Sequence, residues 1–183
     1  MKLPTININE EETSRLDKAL HKEWLLTNGL GGYASSTILG LNTRKYHGLL
    51  VAALEPPGNR TVCLAKLDED AIIGERIYPF NVNEFPDKIY PQGHLFQKSF
   101  SLAPFPTYNY EAETFRVSKT LFMPQGKNAA AVFYRIQGAR APSTLRIYPL
   151  LTCRHIHSVI ENHNLEINQQ SNISNVELTF NVP

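Results

Sequence analysis

Residues Phe115 to Phe122 read FRVSKTLF. Phe115, Val117, Lys119 and Leu121 alternate with Arg116, Ser118, Thr120 and Phe122, a period of two with one mismatch. This is the pattern of a strand with one face on a core and the other near water. The signal recurs on both sides, in Tyr108–Phe115, Ser118–Met123, Ala129–Gln137, Thr144–Leu151 and Val176–Phe180. Upstream, Leu49–Leu54 (LLVAAL) is a short apolar run between Gly48 and the PPG at Pro56–Gly58, which suits a strand covered on both faces. Thr61–Leu67 and His94–Ser101 read as strands, and Ile72–Tyr78 as a hairpin turning near Gly74. The twelve prolines fall mostly between these runs, where strand pairing tolerates them. One segment reads as a helix, Glu10 to about Lys22, with Leu16, Ala19 and Leu20 at helical spacing and acids in the first turn. The expectation is an all-β antiparallel β-sandwich over 23–183, preceded by an N-terminal segment, 1–22, with a short helix. Because the chain stops at NVP directly after a strand, the sandwich is expected to be incomplete.

Composition narrows the function classes. The chain has 183 residues, 42% of them hydrophobic and 19% charged, which is enough apolar side chain for one domain with a real core. Net charge is +1 and the charges are interspersed, so no single-sign field invites nucleic acid or an anionic membrane. No signal peptide opens the chain, and no apolar run approaches a membrane span. Two cysteines, Cys63 and Cys153, lie on apolar strands and read as reduced, inert thiols of a cytoplasmic protein.

The stretch Glu23–Leu54, EWLLTNGLGGYASSTILGLNTRKYHGLLVAAL, holds the candidate functional residues. Gly29, Gly31 and Gly32 allow positive φ and close backbone approach, so a tight bend between strands is expected there. The spacing is not that of a dinucleotide-binding loop, and no Gly-Lys-Ser/Thr follows to cradle a phosphate. Asn42, Thr43, Arg44, Lys45, Tyr46 and His47 form a polar block directly before the buried run. As an extended strand it would place Arg44 and Tyr46 on one face, with Lys45 and His47 on the other. Arg and Asn offer directed hydrogen bonds to sugar hydroxyls, and a tyrosine ring can stack on a pyranose. Equally, Arg44 and His47 can satisfy backbone carbonyls while Tyr46 joins the core. The residues alone leave both readings open. A second block, Arg154-His155-Ile156-His157, follows the Thr144–Leu151 strand. His155 and His157, with His163 farther on, could be imagined as metal ligands, but no familiar spacing completes such a site, so no metal is expected. Ser35 and Ser36 lack a nucleophile elbow. Trp24 reads as core. The closest acids, Asp68-Glu69-Asp70, read as a solvated hairpin turn, and no committed carboxylate pair set in a cleft is evident.

Two blocks, NGLGGYASST at Asn28–Thr37 and NTRKYHGLLVA at Asn42–Ala52, strongly resemble the N-terminal domain of bacterial and archaeal glycogen-debranching enzymes of the amylo-α-1,6-glucosidase type. Weaker similarity continues through PPGNRTVCLAKLDE, PFPTYNY at Pro104–Tyr110 and PLLTCRHIH at Pro149–His157. The resemblance implies a β-sandwich of the supersandwich type, packed on a separate (α/α)6 domain. That partner domain would carry the catalytic carboxylates and hydrolyse α-1,6-glucosidic branch linkages of glycogen. It implies no cofactor. It also makes Asn42, Arg44, Tyr46, His47, Arg154 and His157 candidate substrate-binding residues, with Gly29, Gly31 and Gly32 as a structural turn. An acidic residue would be expected at the position of His155, so the contacts of Arg154 carry over less well. Two other readings compete with a docking domain. One is an independent glucan-binding module using exposed aromatics such as Tyr108 and Tyr110. The other is a structural domain whose open sheet edges pair two subunits into a homodimer.

Overall fold

The structure is a computed structural model and describes residues 5–138, 142–159 and 166–181. In chain order the elements begin with strand β1 (Ile6–Asn9), helices α1 (Glu10–Thr13) and α2 (Leu16–Ala19), and strands β2 (Glu23–Thr27) and β3 (Tyr33–Thr37). The chain continues through β4 (Gly48–Glu55), the long β5 (Gly58–Ile73), β6 (Arg76–Pro79), β7 (Val82–Phe85) and β8 (Lys88–Gln92). A 3-10 turn, Gly93–Phe96, leads into β9 (Gln97–Leu102), β10 (Pro106–Ala112), β11 (Phe115–Phe122) and β12 (Ala131–Gln137). Last come β13 (Ser143–His155), β14 (Glu166–Ser171) and β15 (Val176–Asn181).

The strands form two principal antiparallel sheets. The first has the order β1-β9-β10-β11-β12; the second runs β13-β5-β4-β3-β2, with β6 also pairing β5. Two hairpins, β7–β8 and β14–β15, stand apart from both. The alternation of FRVSKTLF is the alternation of the fold: Phe115, Val117, Lys119 and Leu121 are buried, while Arg116 is exposed and Ser118, Thr120 and Phe122 are half-buried. Between the sheets lie Trp24, Phe80, Phe100, Tyr108, Tyr110 and Phe115, among others. Phe80 stacks on Tyr110 at 4.8 Å between ring centroids, and Phe100 meets Tyr108 edge-on at 5.0 Å. Such aromatic pairs add to the area they bury. Trp24 is core, its indole N–H donating to the Tyr108 hydroxyl at 2.6 Å. The chain is thus an all-β sandwich, and no helix among the described residues is long and apolar enough to cross a membrane.

Four local expectations need correcting. The single helix over 10–22 is two isolated turns. Thr13 is fully buried and its hydroxyl donates to the Gln97 carbonyl at 2.9 Å, so the chain is tied to β9 before a second turn can follow. Strand β1 is part of the first sheet, pairing Ile6–Asn9 with Ser99–Leu102, so the N-terminal segment is built into the sandwich. Residues 94–96 form a 3-10 turn rather than a strand. Asp68-Glu69-Asp70 lies in the middle of β5, not in a turn. Glu69 points inward, where its Oε1 lies 2.5 Å from the Lys119 ammonium and accepts from the Tyr134 hydroxyl. Asp68, largely buried on the opposite face, pairs with Lys66, which is itself buried and donates to the Val82 carbonyl at 2.6 Å.

Candidate functional site

The β2–β3 connection is the Asn28–Gly32 bend, closed by Asn28 N–H donating to the Gly32 carbonyl at 3.2 Å. Asn28 is wholly buried; its amide donates to the Lys127 carbonyl at 2.9 Å, and its Oδ1 accepts from Leu30 N–H. Gly31 has φ +94, and a Cβ there would lie 2.4 Å from the Pro57 carbonyl oxygen. At Gly32 a Cβ would meet Asn28 Nδ2 at 2.7 Å and the Val51 carbonyl at 2.8 Å. Gly29, at φ +77, faces Gln125. The glycines therefore let the bend wedge between the Pro57 turn and the 125–128 loop, with no space for a ligand backbone or phosphate.

Residues 42–47 are not an extended strand. They bend so that His47 N–H donates to the Arg44 carbonyl at 3.0 Å, and the face assignment from alternation fails accordingly. Asn42 is a structural brace: its Nδ2 donates to the Ala65 carbonyl at 2.8 Å on β5, and its Oδ1 accepts from Ser36 at 3.0 Å on β3. His47 is buried, 3% exposed. Its Nδ1 accepts from Thr43 N–H at 3.2 Å, so the neutral ring carries its proton on Nε2, which lies 3.6 Å from Glu23 Oε1. That separation is too long for a hydrogen bond. Burial pushes the His47 imidazole below its ordinary value, against the pull of Glu23. The same carboxylate accepts from Arg44 Nε at 2.6 Å, and this bond holds Glu23 below the usual carboxylate range. Arg44 keeps 63% of its side chain exposed, and together with Leu16, Leu20, His21, Glu23 and Glu84 it borders a hollow of about 590 Å³.

The two polar blocks, separated by more than a hundred positions, meet on one surface. Arg154 donates to the Lys45 carbonyl and, at 2.9 Å, to the Ser158 carbonyl. Lys45 Nζ donates to the His157 carbonyl at 3.1 Å and lies 5.1 Å from the centre of the Tyr46 ring. The Tyr46 hydroxyl lies 3.3 Å from His157 Nδ1, with the rings edge-to-face at 5.8 Å. Tyr33 anchors the arrangement from β3, donating its hydroxyl to the Tyr46 carbonyl at 2.7 Å. Tyr46, Lys45, His155 and His157 remain exposed. The result is a hydrogen-bonded loop pair that presents an aromatic ring, a cation and imidazoles to the outside. Such groups bind by stacking and by directed hydrogen bonds.

Sequence reading missed Glu23 and Tyr33, and it placed Lys45 in the polar block without making it a candidate substrate contact. Glu23 is the first residue of β2 and carries no motif; only the fold reveals that it accepts from Arg44 and lies beside His47. No group of three His, Cys, Asp or Glu among the described residues is placed to hold a metal, and His163 lies outside them. Both cysteines are free and half-buried, and burial raises the Cys63 thiol above its ordinary value. Tyr108 and Tyr110, considered for a glucan-binding surface, are 2% and 5% exposed and cannot serve one. No curated protein and no solved structure matches the chain. A family model described as "Glycogen debranching enzyme N terminal" matches residues 22–182.

Proposed function

The chain belongs to the glycogen debranching enzyme N-terminal family, and from that premise we propose that it is a non-catalytic docking domain whose 42–47 and 154–158 loops face a catalytic partner domain and its substrate cleft. The partner, an (α/α)6 domain of the same cytoplasmic protein, would hydrolyse α-1,6-glucosidic branch linkages. One observation carries the assignment of the surface. The two polar blocks converge, bound to each other through the Lys45 and His157 carbonyls, while Tyr46 and Arg44 are left outward. A loop that served only the sandwich would turn those side chains inward, as Asn42 and His47 are turned. The acids midway along β5 are committed to structure. Glu69 is neutralised in the core, and Asp68 is bound by Lys66, so neither stands ready as a general acid or base.

The test is kinetic. Tyr46→Ala and Arg44→Ala in the full-length enzyme are expected to lower kcat/KM on a branched glucan about tenfold, as loss of a directed contact does. The melting temperature should stay within about 2 °C, since an exposed pair such as Arg44–Glu23 contributes about 0–1 kcal/mol. A fall in stability with unchanged kinetics would show the block to be structural only.

A further inference from the structure

The outer face of the first sheet carries a surface that this function does not use. Its cross-strand rows follow from the register: Ser99, Asn109, Ser118 and Arg135 form one, and Ser101, Thr107, Thr120 and Phe133 the next. Asn109 donates to Ser99 at 3.0 Å and accepts from Ser118 at 2.7 Å; Thr107 and Thr120 meet at 3.0 Å. Alongside, Phe122 stacks on Phe133 with 5.5 Å between centroids and 13° between planes, and Phe105 tilts onto Phe122 at 5.7 Å. Phe133 is 58% exposed and Phe105 41%. The hydroxyls, Phe133 and Arg135 border a hollow of about 620 Å³, within the size range of small-molecule sites.

We propose that this face binds the chain of a neutral polysaccharide, an α-glucan, at a place separate from the Tyr46–His157 surface, which belongs to the other sheet. The chemistry of the face selects the class. Seryl and threonyl hydroxyls both donate and accept, so they match sugar hydroxyls without specifying a charge. An exposed phenyl ring stacks on the apolar side of a pyranose. Charge argues against a polyanion: Arg116 is neutralised by Glu111 at 2.9 Å, and among the described residues Arg135 is the one cation of these rows without an acidic partner. A protein partner is disfavoured as well. The exposed apolar area is confined to the phenylalanine rings, far short of the apolar core that a stable protein interface needs. That the sugar is an α-glucan rests on the family; that it is neutral and polyhydroxylated rests on the face.

Electrophoresis of the full-length protein through gels containing glycogen tests the proposal. Phe133→Ala and Arg135→Ala are expected to weaken retention about threefold to tenfold, the range for losing one stacking or directed contact. Hydrolysis of a short branched oligosaccharide and the melting temperature should be unchanged, and Phe85→Ala, on the β7–β8 hairpin, should be retained like wild type. Undiminished retention of both variants overturns the proposal. A shift in sedimentation with unchanged retention also overturns it and makes the face a protein interface. If the wild type is retained on glycogen and weakened by Phe133→Ala yet cleaves no α-1,6 linkage, the sugar-binding face stands and the debranching reading falls.

Discussion

Lys119 occupies a position where strand alternation calls for an apolar side chain, and it keeps its ammonium in a core where it is 6% exposed. It can do so because Glu69 from the opposite sheet reaches it at 2.5 Å, Tyr134 completes the carboxylate and Tyr108 lies beneath the cation at 5.8 Å. Desolvating two charges costs about as much as their attraction returns, so the pair is weak evidence of net stability. Breaking it is another matter. Lys119→Ala is expected to cost about 3–5 kcal/mol in chemical denaturation, because Glu69 would be left charged and buried. Combining Lys119→Met with Glu69→Gln should recover most of that loss, since the amide still accepts from Tyr134. Equal damage from the single and the double variant would contradict the account. A second residue-scale prediction concerns His94, buried with no partner on Nδ1 among the described residues, whose imidazole burial alone pushes below 6.5. The unfolded chain titrates this group near its ordinary value, so below about pH 6.5 it binds a proton that the fold refuses. Stability is therefore complete above that pH and declines as pH falls through the folded value; His47 adds to it with the same sign. The melting temperature is expected to drop between pH 7 and 5, and His94→Leu to flatten the drop. An unchanged slope in that variant would remove His94 from the explanation.

At the level of elements, the bend at 28–32 and the turn at Gly74 separate two uses of glycine. Gly74 has φ +59 with no atom of the described residues within 4 Å of a notional Cβ, so Gly74→Ala should cost only the left-handed backbone preference, about 1–2 kcal/mol. Gly31→Ala carries that cost and also drives a methyl onto the Pro57 carbonyl, so its loss should be distinctly larger, as thermal denaturation of the two variants would show. Similar losses would mean that the bend can move away from the Pro57 turn. The strands were legible in sequence where their apolar periodicity is the burial pattern itself; β10 follows it residue for residue, and β11 departs from it only at Lys119 and Phe122. The segments that misled reading were those where a distant contact decides. Thr13 ends α1 through the Gln97 carbonyl. The Asp68–Asp70 run looked solvated because the partners that bury Glu69, Lys119 on β11 and Tyr134 on β12, come from distant strands, while only Lys66, beside Asp68, is local. Nothing local distinguishes an acid that faces water from one paired across a sandwich.

On the scale of the whole molecule, the two sheets divide the chemistry. The second sheet gathers both polar blocks at one place, through loops that flank β4 and end β13, and its core cluster there is small: Val51, Val62 and Ile156 with Tyr33 against them. That the blocks were worth attention was visible in sequence from their residue types and their family likeness. That they touch was not, because no local pattern encodes a contact between Lys45 and Arg154. On the proposed docking reading, such a loop pair faces outward because it completes a neighbour's cleft. The most direct test compares amide hydrogen exchange at residues 44–47 and 154–158 in this chain alone and in the full-length enzyme. If these loops dock, exchange there should slow about tenfold or more in the full-length enzyme while the amides of β10 and β11 keep their rates. Equal exchange at both loops in the two proteins would contradict the docking of this surface.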